Sequence, residues 1–257
     1  MLLRSLMILI VFAPATAWPA DWYTATVMER KPQSRELFVQ GLEILDDQLY
    51  VSTGNYGKSR LLRYHFEDGS LDVSRNLASN LFGEGLTVLG DKIYQLTWRE
   101  GQMLIYRKSD LALLESKPLP GEGWGLTNNG EQLIYSDGSA ILRFLEPSNA
   151  KVVRSVKVTL QGRPIRFLNE LEWIDGSIWA NVWRSNEIII IEPDSGVVTG
   201  IIDLGGLLPA GERRAGTDVL NGIARNPDDG GIWVTGKRWP WLYRINLEPR
   251  KASPDTP

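Results

Sequence analysis

The chain has no cysteine and a single histidine in 257 residues. Without thiols there is no disulfide, no thiol nucleophile and no cysteine–metal site. With His65 alone, a zinc site of the usual His/Cys kind lacks ligands, and a Ser-His-Asp triad lacks a base with a suitable setting. His65 sits in the strand-like run RYHFED and is expected at the surface. No Gly-rich loop leads into a helical pattern, so phosphate-cradling nucleotide motifs are missing. No segment sustains a 3.6-residue period, so little helix is expected. Basic runs are missing as well. Lys and Arg number 28 against 31 Asp and Glu. That balance argues against nucleic acid or an anionic membrane as partner.

One apolar run stands out, and it is short. The chain begins MLLRSLMILIVFAPATA. Arg4 supplies a positive start, Leu6 to Ala13 an apolar stretch, and Ala15-Thr16-Ala17 a small-x-small cleavage site. A spanning helix needs about 20 apolar residues, and Pro14 ends this run early. Residues 1–17 therefore read as a signal peptide cleaved near Ala17, with the mature protein periplasmic or secreted. Residues 18–257 form one domain, long enough for a sizeable core. With no disulfide available, that core must hold the exported fold.

What the chain has in abundance is repetition. Five segments share a pattern of polar residue, Gly or Glu, aliphatic, turn and β-rich run. They start at Gln40, Glu84, Trp124, Asn169 and Asn221, at intervals of 44, 40, 45 and 52 residues. A second strand pair follows each, punctuated by turn residues such as Glu-Asp-Gly and Glu-Pro-Asp-Ser-Gly. A period of about 40–50 residues built from strands is the pattern of a β-propeller. The expected fold is all-β: a five-bladed β-propeller with four-stranded antiparallel blades, the last closed by N-terminal sequence around DWYTATVMER. Rotation makes equivalent positions into rings. The starts form one ring. Gly54, Trp98, Gly138, Trp183 and Lys237 form a second, 14 residues later in four units and 16 in the last, where NPDDGG lengthens the turn. Two short strands and a turn return the chain to the same end, so both rings are expected around one mouth.

Ring positions are where chemistry is expected. Trp98, Trp124 and Trp183 end strands or start repeats, which suits the walls of an apolar pocket. Trp173, Trp179 and Trp233 lie within alternating strands and are expected to pack between blades. Glu84 is the one carboxylate on the first ring. Beside indoles it would be partly desolvated, with a raised pKa suited to proton transfer. It could equally be structural, bonded to backbone amides. Glu122 lies two residues before the ring position; it is a second acid or, better, a support behind the residues that touch substrate. Lys237 suits charge stabilisation of an oxyanion or a solvated rim. Gln40, Asn169 and Asn221 offer amides that can bind a polar substrate head, and Asn221, like Glu122, is expected as a support behind the residues that touch substrate. The Gly-rich insertion 205–218 is the candidate mobile loop over the site.

These residues carry a resemblance. FVQGLEI (38–44), STGNYGKSRL (52–61), FGEGLT (82–87), KIYQLTW (92–98), GEGWGLT (121–127), SDGS (136–139), LNELEW (168–173), ANVW (180–183), LNGIA (220–224) and TGKRWP (235–240) follow in order across nearly the whole mature chain. The chain resembles the glutaminyl-peptide cyclotransferases (glutaminyl cyclases) of plants and bacteria, which are five-bladed propellers. Those enzymes convert an N-terminal glutamine of a peptide or protein into pyroglutamate and release ammonia. The resemblance implies Glu84 as general acid/base, with Asn169 and Lys237 binding the substrate and stabilising the oxyanion. It implies Gln40 as a holder of substrate polar groups, and Phe38, Phe82, Trp98, Trp124 and Trp183 as the cage. It implies no metal and no cofactor. Val39 stands where the family pattern leads one to expect Thr.

Two other readings stay open on the residues. Glu84, Asn169 and Asn221 offer oxygen ligands for calcium, as in propeller lactonases, although no Asp holds a ring position. A non-catalytic propeller that binds peptides or sugars is the other.

Overall fold

A computed structural model describes residues 20–250. Within it, regular structure is strand apart from one short 3-10 turn at Ala210–Glu212. The expected signal peptide lies outside the described residues. No helix among those described is long and apolar enough to cross a membrane.

The first strand, β1 (Asp21–Pro32), is taken up only at the end. Three four-stranded antiparallel sheets follow it in the chain. They are β2 (Val39–Leu45) to β5 (Leu71–Asn76), with β3 at Gln48–Thr53 and β4 at Arg60–His65; β6 (Gly83–Leu89) to β9 (Leu113–Pro118), with β7 at Lys92–Thr97 and β8 at Gln102–Arg107; and β10 (Leu126–Asn128) to β13 (Val152–Lys157), with β11 at Leu133–Tyr135 and β12 at Ile141–Leu145. A small hairpin, β14 (Thr159–Leu160) with β15 (Arg163–Pro164), precedes the rest. The remaining sheet has eight strands. One half is β16 (Leu168–Ile174), β17 (Ser177–Val182), β18 (Glu187–Ile191) and β19 (Val198–Asp203). The other is β20 (Leu220–Arg225), β21 (Ile232–Gly236), β22 (Trp241–Pro249) and β1. β1 pairs antiparallel with β22, as expected of an N-terminal closing strand, and also runs parallel to β19. That second pairing joins the halves and covers two edges at once.

Local chemistry explains the hairpins. Asp46 and Asp47 have φ 53° and 54°, and Asp175 and Gly176 have 47° and 82°. Positive φ at both central residues is what a two-residue type I′ turn requires. The leading strands β2, β6, β10, β16 and β20 are neighbours in that cyclic order, with β20 returning to β2. They converge so closely that side chains do not fit between them. A Cβ at Gly41 would lie 2.5 Å from Leu86 N, and one at Gly85 2.4 Å from Leu126 N. This accounts for the Gly that follows the first ring position in these repeats. Glu170 takes the same place in β16, fully buried. Its carboxylate accepts from Leu42 N at 3.2 Å and Ile223 N at 2.9 Å, so it staples β2 to β20.

Apolar clusters fill the spaces between successive sheets. Tyr50 and Leu61 meet Leu86, Ile93 and Leu104 between the first two. Trp179, Ile188 and Ile202 meet Ile223, Val234 and Tyr243 between the halves of the eight-stranded sheet. Trp233 is buried and stacks edge-on against Phe66 at 5.2 Å. Trp179 and Trp233 thus pack as expected, and Trp173 is half-buried against its cluster. His65 is exposed on β4, beside Gln48.

Candidate active site

The leading strands share an irregularity. Register slips between Val39 and Gly41, Gly83 and Leu86, Leu168 and Leu171, and Leu220 and Ile223. Each slip is a bulge that takes Gln40, Glu84, Asn169 or Asn221 out of its ladder, and bulges re-aim side chains. At the far end of four of the five hairpins the pairing resumes across the mouth. Gly54 N donates to Phe38 O, Trp98 N to Phe82 O, Trp183 N to Phe167 O and Lys237 N to Val219 O, all at 2.8–3.0 Å. Second-ring residues therefore sit beside residues two before the first ring. Phe38 and Phe82 reach the mouth in this way.

These positions enclose one cavity of about 300 Å³. Its polar lining includes Gln40, Glu84, Asn169 and Lys237, and its aromatic lining is Phe38, Phe82, Trp98, Trp124 and Trp183. Glu84 and Lys237 thus open on the same cavity. The glycines of the second ring make room for the rings of neighbours. A Cβ at Gly54 would lie 2.2 Å from Phe82 Cε1, and one at Gly138 2.7 Å from Trp124 Cζ2. The aromatics then brace one another: Phe82 and Trp98 at 5.4 Å, Trp124 and Trp183 edge-on at 5.7 Å.

Glu122 joins two walls. Its Oε2 accepts from Trp98 Nε1 at 2.9 Å and from Trp124 Nε1 at 3.0 Å, while Oε1 pairs with Arg99 Nε at 3.2 Å. It thereby fixes both indoles relative to each other.

Glu84 is buried, and Gln40 Nε2 donates to its Oε1 at 2.9 Å. Asn221 Nδ2 in turn donates to Gln40 Oε1 at 3.3 Å and to Val39 O at 3.0 Å. The backbone carbonyl of Glu84 accepts from Ser52 Oγ, which Gln95 Nε2 holds at 2.7 Å. Tyr106 OH donates to Gln95 Oε1 at 3.0 Å. Burial holds the Glu84 carboxyl well above the usual range; the Lys237 charge pulls it back, and Glu122 and Glu100 push it further up. Burial lowers the affinity of Lys237 for its proton, against the pull of Glu84 and Asp218. Its Nζ stands 5.0 Å from the Phe38 ring centroid. The Asn169 side chain makes no hydrogen bond among the described residues, while its backbone carbonyl is held by Ser136 Oγ at 2.7 Å.

Asn221 does not line the cavity; its Nδ2 donates to Gln40 and Val39 from behind the wall, and its Oδ1 is buried with no hydrogen-bond partner among the described residues. Glu84 and Asn169 line the cavity without Asn221, and no group of three His, Cys, Asp or Glu among the described residues is placed to hold a metal. The 205–218 insertion is anchored at Glu212 and Asp218. Glu212 O accepts from Arg35 Nη2 at 2.7 Å, Trp241 Nε1 donates to the Glu212 carboxylate, and Asp218 N donates to Lys237 O at 3.0 Å.

Arg184, Asp218 and Val219 also line the cavity, and the sequence reading misses all three. Val219 is the register equivalent of Phe38 and Phe82, so extending the ring argument two residues back finds it. Arg184 follows Trp183 directly.

The site thus combines a proton-binding carboxyl, a cation and an aromatic cage. The family model described as glutamine cyclotransferase matches residues 3–247. A glutaminyl-peptide cyclotransferase of Arabidopsis thaliana is 39% identical over 232 residues, covering 88% of this chain and 72% of the relative. The crystal structure of Myxococcus xanthus glutaminyl cyclase superposes with a TM-score of 0.85 at 34% identity, over 90% of this chain and all of that one. The WD40 β-propeller domain of Doa1 matches with a TM-score of 0.51 at 12% identity, covering 82% of this chain and 64% of that chain, a likeness of fold alone.

Proposed function

The chain belongs to the glutamine cyclotransferase family, an enzyme family that cyclises glutamine to pyroglutamate, and from that membership we propose how its cavity carries out the reaction on the N-terminal glutamine of peptides and proteins. The observation that carries the proposal is Glu84, a buried carboxyl of raised proton affinity opening on an aromatic cavity with Lys237 and Asn169.

Cyclisation needs the α-amine to attack the γ-carbonyl carbon of the same residue. Phe38, Phe82, Trp98, Trp124 and Trp183 fold the glutamine side chain back on its amine, which supplies proximity and orientation. Glu84, as carboxylate, takes a proton from the α-ammonium. The amine nitrogen bonds to the carbonyl carbon, and the oxygen becomes an oxyanion. Lys237 and the Asn169 amide stabilise that charge. Glu84 gives its proton to the amide nitrogen, the oxyanion collapses to the lactam carbonyl as the carbon–nitrogen bond breaks and ammonia leaves, and Glu84 takes the second proton from the attacking nitrogen, which departs with the ammonia as ammonium. Its raised pKa suits both halves of the exchange near neutral pH. Gln40, steadied by Asn221, fixes the carboxyl. Glu122 fixes the Trp98 and Trp124 indoles.

We read the architecture as five blades around one axis. The cyclic order of the leading strands and the apolar clusters between successive sheets support this. We also infer export and a single mature domain from residue 18, on the strength of the leader pattern. The mechanism draws on side chains alone and calls for no metal.

The test is ammonia release from Gln-Xaa peptides. Wild type should turn them over, with or without exhaustive chelation. Glu84→Gln should fold and lose roughly 10²–10⁴-fold in turnover, the usual scale for a general acid/base. Full activity in that variant would assign Glu84 a structural role. Loss on chelation, restored by a divalent metal, would overturn the metal-free mechanism.

A further inference from the structure

The mouth of the cavity is electrostatically lopsided. Three arginines directly follow second-ring residues: Arg99 after Trp98, Arg184 after Trp183 and Arg238 after Lys237. Each guanidinium lies over an aromatic wall. Arg99 stands 3.8 Å from the Trp98 ring centroid, Arg184 4.2 Å from that of Trp183 and Arg238 5.5 Å from that of Phe38. Stacking holds each head at the rim and leaves its N–H edge available.

Their partners differ. Arg99 is neutralised by Glu122. Arg184 and Arg238 form no ion pair and no side-chain hydrogen bond among the described residues. Both also hold left-handed backbone, φ 67° and 62°. That conformation is unfavourable for a residue with a Cβ and tends to persist where it serves a function. Among the described residues, two carboxylates line the cavity, Glu84 and Asp218; Glu84 is buried, and Asp218 Oδ1 accepts from Val219 N at 2.7 Å. Lys237 faces Glu84 and Asp218, which leaves Arg184 on the cavity lining and Arg238 over Phe38 as cations without an ion-pair partner among the described residues.

The peptide reaches this place by geometry. In the reaction proposed above, the glutamine side chain and amine fill the cage, so the chain can leave only through the α-carbonyl. The next residue then lies at the rim. We propose that Arg184 and Arg238 form a carboxylate-binding rim for the residue that follows the substrate glutamine. The favoured substrates carry an acidic side chain there, or the free C-terminal carboxylate of a dipeptide. This rests on the cyclase reading of the same cavity.

Matched peptides test it. Gln-Glu-Ala-amide against Gln-Gln-Ala-amide varies the side-chain charge at constant shape. Gln-Ala against Gln-Ala-amide varies the terminal charge, and the two arms separate the sources. The readout is the ratio of kcat/KM, acid over amide, in which losses common to both peptides cancel. Wild type should favour the acids several-fold at about 20 mM salt and lose most of that preference at about 0.5 M, where screening is strong. Arg184→Gln and Arg238→Gln should each lower the ratio by roughly 2–5-fold, the range of an exposed ion pair. The double variant should approach a ratio of one. Equal use of both peptides by wild type at low salt, or an unchanged ratio in the double variant, overturns the rim. Quenching of tryptophan fluorescence by the same peptides gives Kd without turnover. Equal Kd values overturn the rim even where no ammonia is released, whereas acid-selective binding without ammonia release counts against the cyclase mechanism alone.

Discussion

Replacing Glu122 by glutamine separates holding the cage from doing the chemistry. The carboxylate accepts two indole N–H bonds on one oxygen, at 2.9 and 3.0 Å, and one arginine bond on the other. A glutamine there has a single acceptor oxygen, and its amide hydrogens oppose the third donor. At least one bond is lost and the others drop from charge-assisted to neutral. Hydrogen bonds to charged groups contribute about 1.5–3 kcal/mol, and neutral ones about 1. Solvent reduces the difference, because the Glu122 side chain is 39% exposed. A loss of about 1–2 kcal/mol in transition-state stabilisation is left, or roughly 5–30-fold in kcat/KM. Folding should hardly change, since freed groups at the rim rebond to water and the Arg99 ion pair is exposed. The pH profile adds an independent readout. The Glu122 charge pushes the Glu84 pKa up, so its removal should move the acid limb of kcat/KM to lower pH. Steady-state kinetics from about pH 4 to 9 and a urea melt measure all three. A stability loss with unchanged kinetics and an unmoved acid limb would refute the positioning role.

Two further outcomes are expected. Trp98→Ala should cost mainly kcat/KM, whereas Trp179→Ala, buried between sheets, should cost about 3–5 kcal/mol of stability; equal stability losses would make Trp98 a core residue. At the end of the leading strands away from the cavity's bulges, Glu43 accepts from Thr87 Oγ1 at 2.7 Å and Val88 N at 2.9 Å, and burial raises its pKa to about 7. A raised folded-state pKa means stability that is complete below the unfolded value of 4.5 and lost as pH rises through about 7, at most about 3 kcal/mol from this group. Glu43→Gln should flatten that part of the stability curve in denaturant melts, and an unaltered slope between pH 4.5 and about 7 would reject the assignment.

The candidate site was legible because the repeats copy one backbone geometry. A bulge at the same offset in four leading strands throws Gln40, Glu84, Asn169 and Asn221 out of their ladders. Equal spacing therefore marked equal placement, even where residue types differed. The Gly-or-Glu that follows also had one cause, the convergence of inner strands. Glycine admits the neighbouring backbone, and Glu170 replaces that contact with two hydrogen bonds to Leu42 and Ile223. The family resemblance added the roles, which spacing alone left open between acid and staple for Glu84.

What escaped the repeat was whatever depends on one repeat differing from another. Asn221 has the same offset as Asn169, yet the one supports Gln40 and the other opens on the cavity. Glu122 stands at the offset where its neighbours have Phe38, Phe82, Phe167 and Val219, and only there do two indole N–H groups converge. Arg99, Arg184 and Arg238 share an offset and a residue type, but a carboxylate neutralises one and not the others. β1 pairs with β22 as its place in the chain suggests, while its parallel contact with β19 depends on how the ring closes. A symmetric scaffold thus puts side chains at predictable stations. The proposed chemistry requires that the stations be unlike, because an acid, a cation and a cage must face one another across the cavity. Those differences are carried by contacts between repeats, which spacing within a repeat does not report.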